Sequence, residues 1–223
     1  MVMSLRESNL GYKDGEHPVH GTWLSVDVVA LTEGNDGEAS VVLITRAGSP
    51  HHGATTLPGG LLAAWDGETV ADAARRILRE KVGEGDYGDP VVVDVVSDPE
   101  RDERGHTVSI VVAVRAPAGT RGAVPVREAP PDMPFAHSRM LKTALRRIDE
   151  RLLTDPDTTY ALLGDQTEAS QVRAVLRACG PITDAAARAR LDRSPLYART
   201  ALRKPVRNGR PPVIYIRTGR VFD

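Results

Sequence analysis

The chain has a single cysteine, Cys179, in 223 residues. That excludes an intrachain disulfide and fits a cytoplasmic setting. Aromatic residues make up only 4%, so the core has to be built mainly from Val, Leu, Ile and Ala. Long apolar runs are also missing. The longest, such as "VVVDVV" and "SIVVAVRA", fall far short of the roughly 20 apolar residues that a membrane span needs. No basic segment followed by an apolar run opens the chain, so no secretory signal is expected. What is present is an ordinary globular balance, 41% hydrophobic and 26% charged, in a length that suits one large domain or two small ones.

The net charge of −1 conceals a split. Residues 1–137 carry 12 Lys and Arg against 21 Asp and Glu, a balance of −9; residues 138–223 carry 17 against 9, a balance of +8. An acidic half joined to a basic half predicts two modules, the second facing a polyanion.

Residues 1–20 are polar and read as a loose arm. The segments 22–33 and 39–48 are rich in β-branched residues and flank the turn "GNDG", which predicts a hairpin. Residues 49–60 read as a loop. The spacing of Val70, Ala73, Ala74, Ile77 and Leu78 predicts a helix within 67–83, with Gly83 as its stop. Strands are expected over 89–98 and 106–117, joined by a charged loop. A Pro- and Gly-rich stretch, 116–134, precedes an amphipathic helix at 136–153. Beyond it the pattern predicts three helices and a hairpin. The helices are 169–180, 184–191 capped by Thr183, and 195–204 starting at Ser194-Pro195; the hairpin is 205–219 around Asn208-Gly209. That order is a winged helix-turn-helix.

The "LPGG" of 57–60, followed by a Glu-led helix ending in "REKVG", resembles a Nudix box. Gly60, Glu68, Arg76, Leu78, Glu80 and Gly83 fall on its pattern. Seven residues, not five, separate Gly60 from Glu68, and Ile77 and Lys81 stand where two metal-binding glutamates belong. Hard cations such as Mg²⁺ need oxygen ligands. Ile77 offers none, and Lys81 places a positive charge where the metal would sit. Glu80 then reads as a helix-face carboxylate or a partner for Arg76. The loop "DPERDERGHTVSI" (98–110), the helix start "FAHSRMLKTAL" (135–145) and the wing "GRPPVIYIR" (209–217) are similar to segments of the Nudix-related transcriptional regulators of NAD metabolism. Glu103 and Ala136 depart from those segments, and residues 170–205 match only a general helix-turn-helix.

The resemblance implies an α/β (α+β) architecture: a Nudix-fold mixed-sheet α/β/α sandwich followed by a winged helix-turn-helix. It assigns 1–20 to a flexible arm, 21–135 to a ligand-sensing domain, 136–153 to a linker helix and 154–223 to a DNA-binding domain. It implies a regulator, a repressor by expectation, that binds operator DNA as a homodimer and senses ADP-ribose or a related NAD-derived nucleotide. No cofactor or metal is required, and no membrane is involved. The expected effector contacts are Arg46, Gly59, Gly60, Lys81, Arg101 and Arg104, because guanidinium groups donate to a pyrophosphate in a fork and stay charged. The adjacent His51 and His52 read as exposed loop residues and His137 as an element-boundary residue. The expected DNA contacts are Arg193, Ser194, Leu196, Arg199, Thr200, Arg203 and Lys204, with Arg207 and Arg210 on the wing for phosphates.

Two other readings compete. One is a Mg²⁺-dependent hydrolase of nucleoside diphosphate derivatives such as ADP-ribose, with Glu68, Glu84 and Asp86 replacing the missing ligands. The other is a sensor whose basic module binds an acidic protein.

Overall fold

The computed structural model describes residues 21–34, 38–204 and 211–219. The expected arm, the centre of the first turn and the wing tip with Arg207 and Arg210 lie outside them.

The first strand, β1 (Trp23–Glu33), is the spine of the first module. It returns through the expected hairpin into β2 (Ala39–Val42), paired antiparallel. The expected strand 39–48 divides after Val42, because the Leu43 N–H turns to the carbonyl of Gly122 at 2.9 Å. Its remainder is β3 (Ile44–Thr45), which pairs with β4 (Thr55–Thr56). The "LPGG" segment, expected as loop, forms β5 (Gly59–Leu61), which lies antiparallel to β1 with Asp27 opposite Gly59.

Helix α1 (Val70–Lys81) starts at Thr69, whose side chain accepts the Asp72 N–H, and stops before Gly83 at φ +134°. Then come β6 (Val91–Val96), β7 (Thr107–Arg115) and β8 (Ala123–Pro125). The main sheet runs β6-β7-β1-β2-β8, with β7 parallel to β1 and the other pairs antiparallel, so the expected mixed sheet is present.

Successive strand residues face opposite sides, and β1 uses both. Val26, Val28 and Ala30 pack with Ala73, Ala74, Ile77 and Leu78 of α1. Val29 and Leu31 face the other layer, against Met140, Leu141, Ala144 and Ile148 of α2 (His137–Arg151). This parity puts Asp27 on the α2 side. Fully burying side chains such as Ile77 and Leu78 contributes about 1.5–3 kcal/mol each.

Helix α3 (Pro156–Leu163) is not among the expected elements. Its signal is nonetheless in the sequence: Asp155 accepts the Thr158 N–H at 2.8 Å and Pro156 opens the first turn. A two-residue strand, β9 (Gln166–Thr167), leads to α4 (Ala169–Cys179) and α5 (Asp184–Arg193), the latter capped by Thr183 as expected. The apolar core behind α2 continues without a break into Val172, Leu176, Leu191, Tyr197 and Tyr215.

The third expected helix, 195–204, is a strand. β10 (Tyr197–Arg203) pairs antiparallel with β11 (Val213–Arg217), which also pairs with β9. Ser194 is the C-cap of α5, and its hydroxyl donates to the Leu153 carbonyl at 2.7 Å. Ala198, Ala201 and Leu202 have the spacing of a buried helical face, yet all three are exposed. The β-branched run of β11 offers a ladder, and Tyr197 and Tyr215 turn inward on it. That pairing outweighs the helical propensity of Ala, Leu, Arg and Lys. The winged helix is therefore α4–α5 with a β10–β11 wing.

Candidate functional site

Asp27 sits on the floor of a cavity of about 560 Å³ between β1, the β5 loop, the end of α1 and the 98–107 loop. All six expected effector residues, Arg46, Gly59, Gly60, Lys81, Arg101 and Arg104, line it. Ser25, Asp27, Phe135 and His137 line it as well, and composition and spacing do not single them out for this site.

The glycines have a steric reason. A Cβ on Gly59 would stand 2.0 Å from Oδ1 of Asp27, so only glycine lets β5 pair with β1 there. A Cβ on Gly60 would meet Ile77 at 3.3 Å. Ile77 is fully buried under the loop, which converts a ligand position into core.

Glu68 is likewise committed. Its Oε1 accepts Arg76 Nε at 2.6 Å, and its Oε2 accepts Arg76 Nη2 at 3.0 Å and the Ala63 N–H at 2.8 Å. Arg76 also donates to the Leu61 carbonyl at 3.0 Å and lies 3.5 Å from Glu80. The Glu68–Arg76 fork thus clamps the loop to the helix. Lys81 donates to the Gly59 carbonyl. Partial desolvation pulls its ammonium below the ordinary lysine range, and the charge of Asp27 opposes this.

The fit to Mg²⁺ is poor. Ile77 has no donor, Lys81 is cationic, and Glu68 has both oxygens engaged. Glu84, one proposed replacement, instead lies 3.4 Å from Arg79. Among the described residues no group of three or more His, Cys, Asp or Glu side chains could hold a metal ion.

The floor is a buried polar network. Asp27 Oδ2 accepts the hydroxyls of Ser109 and, at 3.2 Å, Ser25; the two hydroxyls are 2.8 Å apart. His137 Nδ1 accepts the Leu57 N–H at 3.0 Å, so its proton is on Nε2, 3.3 Å from Asp27 Oδ1. Burial raises the Asp27 carboxyl. His137, the Ser109 hydroxyl and the charge of Arg101 outweigh burial and hold it at about 2. The element-boundary reading of His137 holds, since it opens α2, but it also closes the cavity. Its signal is weak because its partner Asp27 lies far away in sequence.

Arg101 is mostly spent on the protein. It donates to the Thr107 carbonyl at 3.0 Å, to Ser25 Oγ at 3.1 Å and to the Phe135 carbonyl at 3.4 Å. Arg104 forks onto buried Asp102 at 2.9 and 2.7 Å. Arg46 donates to the carbonyls of Pro50 and Ser49. The Arg46 and Arg104 guanidiniums stand 4.8 and 5.3 Å from the Phe135 ring, and each keeps Nη1 free of these contacts. Phe135 and Ala136 have φ of +59° and +61°, a costly conformation for residues with side chains, held here at the cavity rim. His51 is exposed at the same rim, its ring 5.1 Å from Phe135.

In the second module, Arg193, Arg199, Arg203 and Lys204 are exposed. Thr200 donates to the Ile214 carbonyl at 2.7 Å, and Lys204 pairs with Glu168 at 2.8 Å. Leu196 is half-buried and Ser194 buried, so Ser194 is not on the outward surface. Arg188, absent from the expected DNA contacts, is exposed on α5. Arg190 fastens α5 to α2, donating to Asp149 at 2.8 Å and to its carbonyl at 2.9 Å. No helix among the described residues is long and apolar enough to cross a membrane.

The NUDIX domain family matches residues 21–141. An ADP-ribose pyrophosphatase of Methanocaldococcus jannaschii is 32% identical over 48% of this chain and 66% of its own length. Shewanella oneidensis NrtR, solved with a 27mer DNA, is 24% identical with a TM-score of 0.61, over 87% of this chain and 93% of that one. The NUDIX domain of the same NrtR, solved with ADP ribose, is 22% identical with a TM-score of 0.50, over 66% and 99%. At these identities the two structures establish the shared fold, which for NrtR extends through the winged helix.

Proposed function

The chain belongs to the Nudix family, and on that premise we propose that it is a nucleotide-responsive transcriptional regulator, a repressor by preference, rather than a hydrolase. The observation that carries the reading is the state of the box. Glu68 and Arg76 keep the loop clamped over the cavity, while Ile77 and Lys81 remove the oxygen donors that hydrolysis with a metal requires. A pocket is retained and its chemistry is not.

ADP-ribose, or a related NAD-derived nucleotide, fits the cavity. Arg46 and Arg104 each keep Nη1 to donate to a pyrophosphate, and Asp27 with Ser25 offers acceptors for hydroxyl groups. The relative solved with ADP ribose and the relative named ADP-ribose pyrophosphatase support that ligand class. The winged helix, its basic surface and the DNA-bound relative support duplex operator DNA as the partner. Reading an operator through two half-sites calls for a homodimer, and a cytoplasmic location goes with that role.

The hydrolase reading keeps one supporting observation, the 32% identity to the pyrophosphatase. A gel-shift with the upstream region of the protein's own gene separates the two. Binding at low salt that ADP-ribose relieves is the expected result. Absence of any shift at low salt, together with Mg²⁺-dependent turnover of ADP-ribose abolished by Glu80→Gln, would reverse the assignment.

A further inference from the structure

We infer that the Lys81 ammonium takes the place of the divalent cation, so that this cavity binds a pyrophosphate-bearing nucleotide without metal. The inference rests on the nucleotide-sensing reading above and specifies how the charge of that ligand is met.

Lys81 occupies the last turn of α1, at a position where the family pattern places a metal-binding carboxylate. Its Nζ reaches back over Ile77 to the carbonyl of Gly59, within 4.0 Å of where a Cβ of Gly60 would stand. The ammonium therefore stands against the glycine loop, in the cavity wall. One of its three N–H donors is used on Gly59, and two remain.

The surrounding carboxylates attract the ammonium without forming an ion pair with it among the described residues. The cavity is lined by four basic side chains, Arg46, Lys81, Arg101 and Arg104, against the three carboxylates of Asp27, Glu80 and Asp102. Asp102 is taken by Arg104, Glu80 by Arg76, and Asp27 by His137 and Ser109. Among the described residues, Arg46 and Lys81 make no ion pair and donate only to backbone carbonyls. A carbonyl carries no net charge, so both cations keep theirs for a ligand.

A free metal ion would have to enter against that surplus, with Ile77 fully buried and both Glu68 oxygens engaged. A tethered ammonium is already in place and costs no metal uptake. It is a point charge rather than a Lewis acid, so it neutralises a phosphate without assembling a water nucleophile. Loss of hydrolysis and retention of binding then follow from the same substitution.

The test is calorimetry of the full chain with ADP-ribose, once in EDTA and once in Mg²⁺. Equal affinity in the two buffers is expected. In EDTA, Lys81→Gln should weaken binding roughly tenfold and Lys81→Glu more, as expected for one charge-assisted hydrogen bond. Lys81→Arg should restore most of the affinity. Arg79→Gln, on the same helix but outside the cavity, should match the wild type. Lys81 is exposed, so melting temperature should change little and a folding defect can be told apart. Wild-type binding only in Mg²⁺, or unchanged affinity of Lys81→Glu in EDTA, overturns the inference and leaves the nucleotide reading standing. No wild-type binding in either buffer overturns the nucleotide reading itself.

Discussion

The cavity and the wing are both rich in arginine, and they use it in opposite ways. In the cavity each guanidinium is pinned by the protein: Arg46 to two carbonyls, Arg101 to three acceptors, Arg104 to a buried carboxylate. On α5 and the wing, Arg188, Arg199 and Arg203 are exposed and make no ion pair among the described residues. Pinned charges recognise one small anion of fixed shape, because their ordering is complete before binding. Solvated charges on long stems adjust to a repeating polyanion, at the cost of strong salt dependence. The sign of charge is shared, and on the proposed reading the degree of preorganisation separates ligand from nucleic acid.

The comparison can be broken most severely from the core outward. Ile77→Glu rebuilds a ligand of the family pattern but buries a carboxylate under Gly60, where Ile77 is 0% exposed. Urea unfolding should show a destabilisation of about 3–5 kcal/mol, with no gain of ADP-ribose hydrolysis. A change under about 1 kcal/mol would mean that the position can still reach solvent.

The next effect is acid sensitivity. Asp27 is held at about 2 in the folded chain against an ordinary value of 3.8. Its contribution is present in full above the unfolded value and fades as pH falls from about 4 to 2, on the order of 2 kcal/mol. Asp27→Asn should be less stable at neutral pH and lack that component of the acid transition, read by thermal melts across the range. An identical pH profile for the variant would remove Asp27 from the linkage.

The smallest effect sharpens the two modes directly. Arg199→Ala with Arg203→Ala should weaken DNA binding and lower its salt slope by about 0.9 for each phosphate left unneutralised, with ADP-ribose affinity unchanged. Arg46→Ala should do the reverse. If the wing pair leaves the slope untouched, the wing does not track phosphate.

The sheet and α1 are readable in the sequence because β-branched runs, helical apolar spacing and Gly83 are local signals. The six effector candidates converge because the family pattern already carries their spatial relation. Ser25, Asp27 and His137 are hidden: their network joins β1 to α2 across more than a hundred residues, and each looks ordinary in its own window. The wing departs from expectation for a physical reason. Residues 195–204 contain good helix formers, and the β11 ladder that overrides them lies beyond Pro205. Helix α3 differs again, since its cap, Asp155-Pro156, is as legible as that of α1.

Helix α2 has one end in each world. His137 at its start holds the cavity floor, and Asp149 near its end holds Arg190 of α5. Its 15 residues contain neither glycine nor proline, which leaves it a strut about 22 Å long without the usual causes of a kink. A strut cannot shorten. Any advance of the floor along its axis must therefore emerge at α5 with the same stroke, and only a tilt can be absorbed on the way.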